Sequence, residues 1–242
     1  MNTYISQLIQ YGWLNPTEVN NDERVDDAIA RYRDFMQAKT LDLASLFSIE
    51  RCGCPDIYPS TGSGSWPVGC HPEWPSNHSF AVYFTESTRP QHWNATFQDA
   101  WDLVISAYSD IGIAFFETTN RSKANTIVTW QRGAGWIGLA IVPNSPRCGQ
   151  QIWAKYDNSY GSSFPRERMV NQFAYLMAHE FGHNMGLGHT RGGIMNASLT
   201  NGTFSETQWR NDPAFTTLRR WFGGEPIAPT WSIPQPEQPR DE

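Results

Sequence analysis

Residues 166–189 read RERMVNQFAYLMAHEFGHNMGLGH, a stretch that predicts one long helix followed by a turn. Its apolar side chains recur at helical spacing on one side, while His179 and His183 fall on the other side. The glycine at position 186 can adopt the positive φ that ends a helix and turns the chain. We therefore predict a helix from about Arg166 to Gly186 that buries one face and presents two imidazoles from the opposite face.

The end of this stretch has the spacing H-E-x-x-H-x-x-G-x-x-H. Residues i and i+4 of a helix bring two imidazole nitrogens within reach of one ion, and a zinc site with an open position needs three neutral protein ligands. We expect His179 and His183 to supply two of them and His189, beyond the turn at Gly186, to supply the third. Water would occupy the fourth position.

Glu180 stands next to the first expected ligand. A carboxylate there can take a proton from the water and pass it to a leaving amine, while zinc polarises the scissile carbonyl. The pattern predicts a zinc-dependent endopeptidase that acts on protein or peptide substrates. Histidines on an exposed helix would match this spacing only by accident, and a purely structural metal site has no evident use for Glu180.

Two further motifs resemble the metzincin clan and, within it, the matrixins. Gly193-Ile194-Met195 looks like the clan's Met-turn, with Met195 as an apolar floor under the metal. Upstream, residues 51–56 (RCGCPD) are similar to the matrixin propeptide motif P-R-C-G-x-P-D, although Glu50 replaces the first proline and Cys54 replaces an aliphatic residue.

The resemblance implies a latent enzyme with a cysteine switch. The Cys52 thiolate would bind zinc in place of water until the propeptide is removed by an activating protease, and Arg51 and Asp56 would form an ion pair that braces the loop. In the family, the strand similar to residues 138–141 pairs with an extended substrate, so Leu139 and Ala140 are candidate substrate-binding residues, although they fit equally well as core residues.

Only one zinc ion is expected, because no histidine occurs between His92 and His179, where vertebrate-type matrixins have the ligands of a structural zinc. Asp157 and Asn158 fall where matrixins bind calcium. One carboxylate makes a poor calcium site, so calcium stays open. Cys70 and Cys148 are the preferred disulfide pair, although spacing alone does not fix the connectivity.

The fold class predicted from these patterns is α+β. Residues 1–66 are read as a small all-α propeptide ending in a cleavable Gly/Ser/Pro-rich linker, and residues 225–242 as a Pro-rich tail. Residues 67–224 would form a metzincin catalytic domain with a twisted mixed sheet of about five strands, the active-site helix and a C-terminal helix near Glu206 to Phe222. The sheet should include a strand over Ile111 to Phe116.

Composition excludes some functions and leaves others open. The net charge is −6, from 18 Lys and Arg against 24 Asp and Glu, and no basic run suits nucleic acid. No stretch predicts a membrane span and no signal peptide is visible; even so, four cysteines and five N-glycosylation sequons favour a secreted, extracellular protein, which we expect to be a monomer. Two alternatives stay open: a metzincin without latency whose N-terminal domain binds a polymer such as cell wall, and an inert metal-containing binding module.

Overall fold

The computed structural model describes residues 3–49, 51–54, 56, 79–85, 94–132, 138–140, 151–156, 165–198 and 204–222. The predicted linker, the tail from residue 225, the pair Cys70 and Cys148, and the stretch Asp157–Asn158 lie outside the described residues. None of the helices in the described part of the chain has the length and apolar character needed to cross a membrane.

The N-terminal part is helical. Its three helices are α1 (Thr3–Gln10), α2 (Asp22–Phe35) and α3 (Leu43–Phe47). Side chains cap α2 and α3 at their N-termini. Asn21 accepts a hydrogen bond from the backbone N–H of Arg24 at 3.2 Å, and Asp42 accepts one from the backbone N–H of Ser45 at 2.7 Å. The helices enclose an apolar cluster of their own, formed by Leu8, Tyr11, Leu14, Ala28, Tyr32, Ala38, Leu46 and Phe47.

The remaining elements form a sheet with helices packed on it. The strands are β1 (Ser79–Phe84), β2 (Ala114–Glu117), β3 (Thr126–Arg132), β4 (Gly138–Ala140) and β5 (Gln151–Tyr156). They pair in the order β2-β1-β3-β5-β4, parallel throughout except for β4, which is antiparallel to β5. Because β4 is last in this order, its outer edge has no strand partner among the described residues.

Two helices form the layer beside the sheet. Helix α4 (Asn94–Ser109) packs against α5 (Arg166–Asn184) and β2, and α5 also contacts β4 and β5. Aromatic rings fill the space between them. Phe115 of β2 lies 4.6 Å from the Phe181 ring of α5 and 5.6 Å from the Trp101 ring of α4, measured between ring centroids. This core fixes α5 against the sheet and so fixes the direction in which its histidines point.

The mixed α and β architecture agrees with the prediction, and two boundaries differ. The strand predicted from Ile111 begins only at Ala114, because residues 111–113 close the end of α4: Gly112 has φ 81° and the Ile113 amide bonds to Tyr108 O at 3.0 Å. The predicted C-terminal helix is split into α6 (Glu206–Asn211) and α7 (Pro213–Phe222). Pro213 lacks the N–H that a continuous helix needs, and Asp212 accepts the Ala214 amide at 2.8 Å.

Neighbouring phenylalanines on β2 test this packing. Phe115 is 4% exposed, whereas Phe116 is 44% exposed. Replacing a buried Phe by Ala should lower the free energy of unfolding by about 3–5 kcal/mol, and replacing an exposed one should change it by about 0.5 kcal/mol or less. Guanidinium unfolding of Phe115→Ala and Phe116→Ala measures both, and equal losses would contradict the assignment of faces on this strand.

Candidate metal centre

Helix α5 and the turn after it bring three histidines together. The helix ends at Asn184, and Gly186 adopts φ 93°. Its amide bonds to His183 O at 2.9 Å, and the next amide bonds to Gly182 O at 2.9 Å, so the chain reverses beneath the helix end. As a result His183 Nε2 lies 3.0 Å from His179 Nε2 and 3.1 Å from His189 Nε2.

The other nitrogen of each ring faces an oxygen. The Nδ1 contacts are 2.7 Å from His179 to Ile194 O, 2.8 Å from His183 to Leu187 O, and 2.7 Å from His189 to Asp56 Oδ1. These acceptors assign the ring proton to Nδ1 in all three histidines, since a carbonyl or carboxylate oxygen accepts and does not donate. Three Nε2 lone pairs therefore converge, and a cation is the group that they fit.

Burial keeps these imidazoles neutral. It lowers the pKa of His179 to about 3, with a further contribution from His189, and it lowers the pKa of His183 well below its ordinary value. Burial also lowers the pKa of His189, although the carboxylate of Asp56 opposes that shift. At neutral pH each ring is therefore in the form that ligates a metal.

A fourth donor comes from far upstream. Cys52 Sγ lies 3.5 Å from His183 Nε2, and the ligand atoms of Cys52 and the three histidines all lie within 4.8 Å of one another. Cys52 is buried, and burial raises the pKa of its thiol well above the ordinary value in the absence of metal. Three imidazoles and one thiol are a donor set that suits tetrahedral zinc.

Backbone contacts hold the cysteine loop in place. The Cys52 amide bonds to Ala197 O at 2.8 Å, and the Gly53 amide bonds to Gly138 O at 2.8 Å. Cys54 Sγ lies 3.3 Å from the Ala140 nitrogen and 3.5 Å from its oxygen. Residues 52–54 thus lie between the outer edge of β4 and the segment that follows the third histidine.

Glu180 is fully buried beside the ligands, and neither of its carboxylate oxygens has a hydrogen-bond partner among the described residues. Burial, with a smaller contribution from Cys54, raises its pKa well above the ordinary value. A methyl group at position 138 would overlap Oε1 of Glu180 and come within 2.7 Å of Leu176 Cδ1, so any larger residue there would have to displace the Glu180 and Leu176 side chains. A buried carboxyl without partners is costly, and such groups are typical of functional sites.

Arg51 and Asp56 form a buried ion pair. Arg51 Nη1 lies 2.9 Å from Asp56 Oδ2 and Nη2 lies 2.5 Å from Oδ1, with side chains that are 2% and 0% exposed. Trp13 Nε1 donates to Asp56 Oδ2 at 2.6 Å, and the Arg51 guanidinium lies 3.8 Å from the Tyr11 ring centroid. Burial alone would raise the pKa of Asp56, but the hydrogen bond from His189 and the charge of Arg51 lower it.

Met195 packs against α5 at Gly182 and is 1% exposed. Its sulfur packs so closely on Gly182 that a methyl group there would come within 2.5 Å of Sδ. The loop that carries Met195 is fixed by the Thr190 amide, which bonds to Met195 O at 2.8 Å, and by Asp212, which accepts the Ile194 amide at 2.7 Å. Helix α5 and the residue 190–196 loop therefore hold each other in register.

The structure does not place every candidate. Leu139 and Ala140 lie on β4, where Ala140 contacts Cys54, but the Leu139 side chain lies outside the described residues. Sequence reasoning missed Trp13, which carries no motif, and read Cys54 only as a departure from the family pattern. The C-x-C spacing of residues 52–54 was the available signal for a second thiol at this site.

The buried imidazoles predict how stability depends on pH in EDTA-treated protein. Imidazoles in the unfolded chain take up protons near pH 6.5, whereas His179 in the folded chain does so only near pH 3. The free energy of unfolding should therefore fall as the pH is lowered through this window.

Glu180, whose pKa is raised, changes the free energy of unfolding with pH in the opposite direction, but the effect of three imidazoles outweighs that of one carboxyl. Urea unfolding at about pH 7.5 and about pH 5 measures the effect, and Glu180→Gln should steepen it. Equal or greater stability at the lower pH would contradict the assignment of neutral, buried rings.

Comparisons with known proteins bear on the same region. Residues 76–190, slightly less than half of the chain, match the family model described as Metallo-peptidase family M12B Reprolysin-like. The chain is 25% identical to interstitial collagenase of Equus caballus over 151 residues, which is 58% of this chain and 30% of the collagenase. The chain thus spans about a third of the length of that relative.

The crystal structure of myroilysin is similar over 58% of this chain and 52% of that chain, with 19% identity and a TM-score of 0.36. The family-model match includes the histidine motif and supports a metallopeptidase domain, and neither sequence comparison singles out the matrixins.

Proposed function

We propose that this chain is a zinc-dependent endopeptidase that its own N-terminal segment keeps latent. The observation that carries the proposal is the convergence of four buried donor atoms, three imidazole nitrogens and one thiol sulfur, within 4.8 Å of one another. The buried carboxyl of Glu180 lies directly beside them without a hydrogen-bond partner among the described residues. A structural zinc site needs the four donor atoms, but it has no need of a buried carboxyl beside them.

The residues have separate roles in this proposal. His179, His183 and His189 hold the metal through Nε2, and a bound zinc ion supplies Lewis acidity to a carbonyl oxygen and to a water molecule. Glu180 takes the proton of the attacking water and delivers it to the leaving amine. Burial raises its pKa and so favours the protonated carboxyl, which suits the second step, the delivery of that proton.

The position of residues 52–54 supports latency. Cys52 fills the fourth donor position, where a water molecule would otherwise be activated. Gly53 bonds to the outer edge of β4, and Cys52 bonds to Ala197 on the opposite side, so the segment lies where an extended substrate would pair with the sheet. Catalysis would then require removal or displacement of this segment.

The rest of the N-terminal part docks on the same face. Gln37 Nε2 donates to Arg191 O at 2.6 Å, and Arg191 pairs with Asp34 at 2.6 Å, just beyond the third histidine. We therefore propose that residues 1–66 act as a propeptide, with residues 67–224 as the catalytic part and an activating protease that cuts between them. Protein or peptide substrates, secretion and a monomeric state belong to the same proposal.

The experiment compares the full-length wild type with four variants: Cys52→Ser, Cys54→Ser, Glu180→Gln and the Cys52→Ser/Glu180→Gln double variant. Zinc content and hydrolysis of casein or of an internally quenched peptide are measured for each. We expect one zinc ion per chain, weak activity in wild type and higher activity in Cys52→Ser. Adding Glu180→Gln to Cys52→Ser should reduce kcat by about 10²- to 10⁴-fold with zinc retained, since the general base is lost.

Cys54→Ser is the matched control, because it removes a second buried thiol that faces Ala140 and lies near Cys52, Glu180 and His183 but is not grouped with all three histidines, and it should stay as latent as wild type. Wild-type activity equal to that of Cys52→Ser would reject latency and leave the N-terminal part free for another role, such as binding a polymer. Zinc bound without hydrolysis by any form would point to an inert metal-containing module.

A further inference from the structure

The three candidate ligands differ in where their second ring nitrogen finds its acceptor. His179 and His183 donate to backbone oxygens that lie within 15 residues of them in the chain. His189 instead donates to the Asp56 side chain, 133 residues upstream, at 2.7 Å. Removal of the N-terminal segment leaves the first two acceptors in place and takes away the third.

Asp56 is held firmly in this position. Both of its carboxylate oxygens accept hydrogen bonds from Arg51, and Trp13 donates to Oδ2 at 2.6 Å. The Asp56 amide bonds to Tyr11 O at 3.0 Å. The Asp56 and His189 side chains are both 0% exposed. A carboxylate fixed by this many contacts is preorganised to receive the imidazole N–H, unlike an exposed pair whose geometry fluctuates.

Arg51 does not replace Asp56 as the partner of this ring. Arg51 Nη2 lies 3.4 Å from His189 Nδ1, but a guanidinium only donates, and the ring nitrogen that faces Asp56 carries a proton. The shorter contact to Asp56 Oδ1 is therefore the hydrogen bond. The ion pair with Arg51 orients the carboxylate that bonds the ring.

We propose that Asp56 is a positioning residue for His189, through which the N-terminal segment strengthens metal binding in the latent chain. The inference rests on the metal centre of the proposed function. A carboxylate acceptor on Nδ1 fixes the tautomer and orientation of a ligating imidazole and makes its Nε2 a stronger donor, and loss of such a partner typically costs 10- to 100-fold in metal affinity. Activation would thus open the fourth position and loosen the third ligand in one event.

The competing explanation is that Asp56 only braces Arg51 and so keeps Cys52 on the metal. A Cys52→Ser background separates the two, because the thiol ligand is then absent from every protein compared. Zinc dissociation constants are measured on the full-length chain by competition with a chromophoric chelator, for Cys52→Ser alone and combined with Asp56→Ala, Asp56→Asn or Asp34→Ala. Circular dichroism checks that each variant folds.

We expect Asp56→Ala to weaken zinc binding about 10- to 100-fold in this background. Asp56→Asn keeps the side-chain shape and one acceptor oxygen, so its effect should be intermediate, and it replaces Asp56→Ala if that variant does not fold. Asp34→Ala removes an exposed ion pair between the same N-terminal segment and Arg191 without reaching His189, and should leave the affinity within about 2-fold.

A zinc affinity of Cys52→Ser/Asp56→Ala equal to that of Cys52→Ser would overturn the inference and leave Asp56 as a brace for the loop. Absence of zinc binding by Cys52→Ser itself would overturn the metal centre and the proposed function with it. A direct readout of the contact is the Nδ1–H resonance of His189 in zinc-loaded Cys52→Ser. It should be present and protected from exchange, and lost in Cys52→Ser/Asp56→Ala.

Discussion

Three imidazole nitrogens converge in the interior of the protein, and the surrounding elements are arranged so as to hold them there. His183 Nε2 lies 3.0 and 3.1 Å from the Nε2 atoms of the other two rings, and all three side chains are buried. Their lone pairs repel one another unless a cation lies between them, and burial prevents protons from serving as that cation. Metal binding and folding of this region are therefore expected to be coupled.

The surrounding elements can be understood as supports for this arrangement. Aromatic packing holds α5 against α4 and the sheet, Met195 fills the space below Gly182, and Asp212 ties the Met195 loop to the C-terminal helices. The N-terminal segment adds the Cys52 thiol next to the three imidazoles and the Asp56 carboxylate at Nδ1 of His189. Two separate apolar clusters, one around the sheet and one among the first three helices, meet at this polar region.

Much of the metal centre was predictable because its three histidines lie close together in the sequence. The spacing of His179, His183 and His189 depends only on helical periodicity and one turn at Gly186, which a sequence displays directly. The prediction that Cys52 is a ligand had a different basis, the resemblance of residues 51–56 to a family motif. The contact between Asp56 and His189 could not be inferred in either way. It is a tertiary contact between residues 133 positions apart, and the motif that singled out Asp56 paired it with Arg51 and not with a histidine.

The fold was predictable to a similar depth. Periodic patterns located the helices and strands, but the boundaries of these elements depend on how the helix ends are capped. The start of β2 was displaced by the turn at Gly112, and Pro213 divided what hydrophobic spacing had suggested was one helix. The partners that fix Asp56, Trp13 among them, are set by packing between segments that are far apart in sequence, which periodicity does not encode.

Zinc K-edge X-ray absorption spectroscopy of the intact, zinc-loaded chain identifies the atoms bound to the metal. Three imidazoles and the Cys52 thiol should give a four-coordinate shell with three nitrogen scatterers at about 2.0–2.1 Å, with the outer-shell pattern of imidazole, and one sulfur at about 2.3 Å. A shell without sulfur, or with fewer than three imidazoles, would contradict this assignment of ligands.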